Sequence, residues 1–201
     1  MAIMDILPKQ RYLFLDTETT GLDPDTNEVI QIAALVMEQA HTQEHPVEVA
    51  RYECKLRADT GVVDLEALAV NGRRLTEDVL TDSITSSVQK ELVYGFADFL
   101  ATFVTEKTFI IGANINFDID FVKSLFKKYD IDANRLLSKK KAVDVQQIAR
   151  FLHDSNILEL PDYRLSTLIR EILQIKWIDA HNAMADVLVT KDLYFTMREI
   201  A

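Results

Sequence analysis

Three strand-forming segments crowd the start of this chain, and the short stretches between them decide most of what it can fold into. Residues 12–16 are a brief apolar run. Residues 28–37 follow the turn-forming stretch Asp23-Pro24-Asp25-Thr26-Asn27, and residues 47–56 follow a break near Pro46. A parallel pair needs a crossover of about a dozen residues or more, usually a helix, whereas connections this short suit hairpins. The first three strands are therefore expected to form an antiparallel meander. The periodicity then changes. Ile84, Val88, Leu92, Phe96, Leu100 and Val104 recur every four residues, which predicts a helix with one apolar stripe. Phe109-Ile110-Ile111-Gly112 reads as a buried strand, and a helix carrying Phe117, Phe121, Leu125 and Tyr129 follows it. Residues 65–70 suggest a short helix ended at Asn71-Gly72, and 143–152, 165–173 and 187–200 complete a helical second half. Strands first, then strands alternating with helices, predict an α/β fold: one central mixed sheet with helices on its faces.

Length and composition narrow the classes of function. The 201 residues show no repeat and no Pro/Gly/Ser-rich linker, so one domain over 1–201 is expected. With 48% hydrophobic and 27% charged residues, the chain has the balance of a soluble globular protein. A single cysteine, Cys54, excludes a disulfide scaffold and suits a reducing compartment, so a cytoplasmic location is expected. Residues 1–10 include Asp5, Pro8 and Lys9 and have no long apolar core, so no signal peptide is read there. No apolar run approaches the roughly 20 residues that span a bilayer, and no membrane association is expected. The net charge of −10 argues against coating nucleic acid through a broad basic surface. It does not argue against a nucleic-acid enzyme whose carboxylates hold cations.

Three clusters could do chemistry. Asp16-Thr17-Glu18-Thr19-Thr20-Gly21 ends the first strand, and period-two alternation puts the carboxylates of Asp16 and Glu18 on one side. Oxygen donors paired in this way suit a hard cation such as Mg²⁺ or Mn²⁺, although a solvated acidic turn would look the same. In Asn114-Ile115-Asn116-Phe117-Asp118, Asp118 falls at a helix start, where an acid also serves the helix dipole. Phe117 and Phe121, four apart, suit core packing as well as stacking on a base. His181-Asn182-Ala183-Met184-Ala185-Asp186 is the third cluster. Five helical residues turn by about 500°, so His181 and Asp186 converge only if the histidine lies in the loop before the helix.

Read in order, the three clusters resemble the DEDDh (DnaQ-like) 3′→5′ exonuclease superfamily over about residues 12–194, with 160–165 and 180–187 most similar to its exonuclease I branch. Asp16 and Glu18 match the first motif, Asp118 the second, and His181 with Asp186 the third. The segment Ala67-Leu68-Ala69-Val70-Asn71-Gly72 also resembles the family, whereas Ala113 stands where many members have histidine. The resemblance implies an RNase H-like fold and release of nucleoside 5′-monophosphates from the 3′ end of single-stranded nucleic acid, DNA above all. It implies two divalent ions, Mg²⁺ or Mn²⁺, on Asp16, Glu18, Asp118 and Asp186, with His181 as general base. It also implies a 3′-end pocket of Thr17, Leu22, Asn114 and Phe117, with Leu22 wedged against the terminal base. Lys127-Lys128, Lys139-Lys140-Lys141 and Arg73-Arg74 could track phosphates or form a solvated face. Rival readings are an RNA-trimming enzyme of the RNase T or oligoribonuclease kind, an RNase H-like endonuclease, and a non-catalytic 3′-end-binding or polymerase-associated subunit. A polymerase or other protein partner fits the family, and no oligomer signature is readable.

Overall fold

A computed structural model of the chain describes residues 9–40, 45–59, 64, 85–176 and 181–201. The expected helix at 65–70, the 67–72 segment, Arg73-Arg74 and the start of the striped helix at Ile84 lie outside these residues. A five-stranded sheet organises the rest. Its strands are β1 (Gln10–Thr19), β2 (Val29–Gln39), β3 (Val47–Lys55), β4 (Phe109–Gly112) and β5 (Ala142–Asp144), in the order β3-β2-β1-β4-β5. The β1–β2 and β2–β3 pairs are antiparallel, as the short connections require, whereas β4 and β5 continue parallel from β1. The sheet is mixed, with its first three strands antiparallel.

Helices cover both faces, and side-chain parity along β1 sorts the two cores. Leu13 and Leu15, with Ile32, Ala34 and Val36 of β2, pack against α1 (Ser86–Phe103) and α2 (Ile115–Lys128) through Val93, Phe96, Leu100, Ile119 and Phe126. Tyr12 and Phe14, with Ala33 and Leu35, face α3 (Val145–Asp154), α4 (Leu165–Leu168) and α5 (Ala183–Ile200) through Leu152, Leu168, Val187 and Leu193. A π-helical turn, Ile169–Leu173, extends α4. Among the described residues, no helix is long and apolar enough to cross a membrane.

Two features differ from the sequence reading. The every-fourth-residue stripe only partly coincides with the buried face of α1: Phe96 and Leu100 belong to both and Leu92 and Val104 pack against the core, but that face also takes Gln89, Val93 and Ala97. Four residues turn about 400°, so such a stripe slides by about 40° per step, and Val88 ends up exposed. The second is β5. Its three residues lie between a lysine run and a helix start, too short a segment to show a period.

Unequal strand lengths leave one end of β1 free to carry functional side chains. β4 pairs with β1 only at Tyr12–Phe14, so β1 runs on past the end of β4 and carries Asp16–Glu18 beyond it. The chain leaves β4 at Gly112 close against β1, where a Cβ would sit 2.9 Å from the Leu15 carbonyl oxygen. Only glycine lets the backbone turn there into α2.

Candidate active site

The end of β1 is where the sequence clusters meet. Asp16 and Glu18 share the parity of Phe14 and so lie on the α5 side of the sheet, while Thr17 turns to the α2 side. Asp118 reaches up from the first turn of α2, only 2% exposed. Its Oδ1 accepts hydrogen bonds from the Thr17 backbone N–H (2.9 Å) and the Thr17 hydroxyl (2.8 Å). From the other face, His181 occupies the turn before α5 with a left-handed φ of 67°, and Asp186 lies in the first turn of that helix. Asn182 caps α5 by accepting from the Ala185 N–H at 3.1 Å. The histidine thus stands outside the helix and points with Asp186 rather than away from it. Ligand atoms of Glu18, His181 and Asp186 lie within 4.8 Å of one another.

Electrostatics ties these groups together. Burial lifts the Asp16 carboxyl well above the ordinary carboxylate range, and the charges of Asp118, Asp186 and Glu18 lift it further. Asp118 is pushed up to about 7 by burial and by the nearby Asp144 charge, against the lowering effect of its Thr17 hydrogen bonds. Asp186 is also raised to about 7 by burial, although the His181 backbone donates to it. One Asp186 oxygen, Oδ1, is buried with no hydrogen-bond partner. Burial lowers the pKa of the His181 side chain, which favours the neutral imidazole.

Of the residues expected at the 3′ end, Leu22 is 64% exposed in the loop after β1, an apolar side chain four positions beyond Glu18. Asn114 is exposed at the N-cap of α2, and its backbone N–H donates to Asp144 Oδ1 at 3.2 Å. Phe117 is half-buried, packed against the core and against Phe121 with ring centroids 4.6 Å apart. Thr17 is buried, and its hydroxyl is spent on Asp118. The described basic runs are partly engaged: Lys128 pairs with Glu28, Lys139 with Asp120, and Lys141 donates to the Thr105 carbonyl.

Two contributions escaped the sequence reading. Thr17 positions Asp118, a contact across 101 residues of chain for which no local signal exists. Asp144 caps α3, accepting from the Gln146 N–H, and an aspartate just before a helical pattern is a readable N-cap signal. Replacing Thr17 with valine keeps the shape and removes one charge-assisted hydrogen bond, worth about 1.5–3 kcal/mol. The expected result is about tenfold slower turnover with an unchanged fold, read by single-turnover kinetics and circular dichroism; an unaltered rate would remove Thr17 from the site.

No protein-family model matches the chain. Among curated proteins it is similar to the PolC-type DNA polymerase III of Pediococcus pentosaceus, 27% identical over 161 residues, which are 80% of this chain and 10% of the polymerase. Its counterpart in Thermotoga maritima is 27% identical over 196 residues, 94% of this chain and 12% of the polymerase. The chain therefore spans only about a tenth of the length of these relatives. Among solved structures, exonuclease I superposes with a TM-score of 0.70 at 21% identity, covering 94% of this chain and 41% of that one. A zinc-bound complex of E. coli exonuclease I with single-stranded DNA gives a TM-score of 0.71 at 19% identity, covering 94% and 40%. At such identities the structural likeness establishes the fold, which is RNase H-like. With this fold, this similarity to PolC-type polymerases and its acidic motifs in order, the chain resembles the DEDDh, or DnaQ-like, exonuclease superfamily.

Proposed function

We propose that this protein is a metal-dependent 3′→5′ exonuclease that hydrolyses the terminal phosphodiester of single-stranded DNA and releases nucleoside 5′-monophosphates. The observation that carries this reading is the meeting of Asp16, Glu18, Asp118, Asp186 and His181 at the end of β1. A divalent cation fits the residues present. Their oxygens are hard donors, the buried Asp186 Oδ1 has no partner, and the acids oppose one another's ionisation. Asp16, Glu18, Asp118 and Asp186 would hold two such ions, Mg²⁺ or Mn²⁺, which supply phosphate neutralisation and a more acidic water.

The chain's own residues do the remaining work. Exposed Leu22 packs against the terminal base, with Asn114 beside it, and Thr17 keeps Asp118 in place. His181, neutral at working pH, takes the proton of the attacking water at an imidazole nitrogen. The new oxygen–phosphorus bond forms as the bond from phosphorus to the 3′ oxygen of the penultimate nucleotide breaks. That oxygen takes a proton from solvent, and the 5′-monophosphate leaves.

Single-stranded DNA as substrate is supported by the likeness to exonuclease I, one of whose structures is a single-stranded DNA complex. A polymerase partner is supported by the PolC-type relatives. A cytoplasmic location suits the one thiol, Cys54, which is buried and forms no disulfide. The test compares 5′-labelled single-stranded DNA and RNA of one sequence, with Mg²⁺ or Mn²⁺. A ladder shortening from the 3′ end of DNA is expected, absent with Asp16→Ala. Preference for RNA would move the protein to RNA trimming. No cleavage of either would favour a 3′-end-binding subunit.

A further inference from the structure

An open groove of about 670 Å³ lies between the start of α2 and the outer flank of α3. Asn114, Asn116, Lys139, Asp144, Gln147 and Phe151 are among the residues that line it. Its volume is in the range of clefts that hold ligands. The groove adjoins the site through Asn114, which is the N-cap of the helix that carries Asp118 and whose backbone N–H donates to Asp144 at 3.2 Å.

The helix explains the shape. Val145, Ala149 and Leu152 form the buried stripe of α3, whereas Asp144, Gln147, Ile148 and Phe151 follow one another along a neighbouring flank at spacings of three and four. Phe151 is 65% exposed, so its ring is offered rather than used in the core. From Asp144 to Phe151 the flank runs about 10 Å. That length matches about three stacked nucleotides at 3.4 Å each.

We propose that this groove holds the nucleotides immediately upstream of the 3′-terminal one, with a base stacked on Phe151, amides of Asn114, Asn116 and Gln147 beside the strand, and Lys139 near a phosphate. The chemistry of the lining fits an unpaired strand. An exposed aromatic face stacks on any base, and Lys139, whose partner Asp120 is itself solvent-accessible, puts an ammonium at one rim that a phosphate can share. The Asp144 carboxylate accepts two backbone N–H groups, which lessens its repulsion of phosphate. The inference rests on the exonuclease reading only in taking a single strand as the substrate.

The test separates binding from cleavage. Anisotropy of a 5′-labelled single-stranded oligonucleotide, DNA in one arm and RNA in the other, is measured with Ca²⁺ for wild type, Phe151→Ala and Phe151→Trp. Phe151→Ala is expected to raise Kd about 5–150-fold, the worth of one stacked base, and Phe151→Trp to restore it. Lys139→Gln is expected to reduce the salt slope by about 0.7, one single-strand phosphate. Because Phe151 is exposed, its truncation leaves the fold intact. Equal Kd values for wild type and Phe151→Ala, or no binding by wild type, would overturn the groove. Cleavage is scored apart with Mg²⁺. Failure of wild type to shorten a strand refutes the hydrolase reading alone, and the Phe151 contrast still decides the groove.

Discussion

Replacing His181 with alanine is expected to slow release of the 3′ nucleotide by about 10²–10⁴-fold while the response to cations survives. The side chain is largely exposed, with a ring nitrogen near Glu18 and Asp186, and no hydrogen bond of the ring to either acid is formed. Truncation therefore removes an imidazole without disturbing the buried acids. Burial lowers its pKa, so the base form is present at neutral pH and is lost only as pH falls through a value below about 6.5. In wild type, single-turnover rates should fall on the acid side of that pKa and level off above it. The variant should lack this limb. Melting curves with and without Mn²⁺ then separate two roles: a base leaves the cation-induced shift intact, whereas a metal ligand takes it away. Near-normal turnover in the variant would reject the assignment.

Divalent cations are expected to raise the melting temperature by about 5–10 °C at about 100 times Kd, and by much less at acidic pH. Asp118 and Asp186 are each raised to about 7 in the cation-free protein, against about 3.9 unfolded. With folded values above unfolded ones, the stability these acids contribute is complete below about pH 4. It is lost as pH rises through about 7. The penalty at higher pH is at most about 4 kcal/mol for either acid. It is not additive, since the charges of Asp118, Asp186 and Glu18 all act on Asp16 and that of Asp144 acts on Asp118. A cation relieves that repulsion, so its benefit at pH 8 should far exceed its benefit at pH 5. Asp186→Asn should melt higher than wild type without cation at pH 8 and should lose most of the gain on adding Mn²⁺. A shift of equal size at both pH values would contradict a site built from mutually opposed acids.

The sequence carries these features unevenly. The antiparallel start of the sheet is legible because loop length forbids a crossover, and the α/β class follows from segment order, whereas the RNase H-like fold is implied by the family resemblance. The buried face of α1 is less legible. Apolar residues at every fourth position mark a helix, but a fixed step of four rotates away from the core, and Gln89 takes a buried place that its polarity hides. β5 is too short to announce itself. At the site, Asp16 and Glu18 could be paired from strand parity alone, but the meeting of His181 with Asp186 needs a left-handed backbone at the histidine, which nothing in its neighbours demands. The Thr17–Asp118 contact is a tertiary fact. The family resemblance implies Thr17 as a substrate contact, and only the fold shows its hydroxyl turned inward.

The bond between Thr17 and Asp118 also bears on how such a protein can change over generations. Because both donors on Thr17 converge on one oxygen of Asp118, the two motifs form a single heritable unit: a substitution in either is judged by what the other holds. Neutral drift there requires paired steps. Leu22 and Phe151 carry no such obligation, since both side chains stand largely in solvent. Diversification toward new strand lengths or sugars would accumulate first at these two positions, and selection for altered specificity in the laboratory should recover variants there long before any at the motif itself.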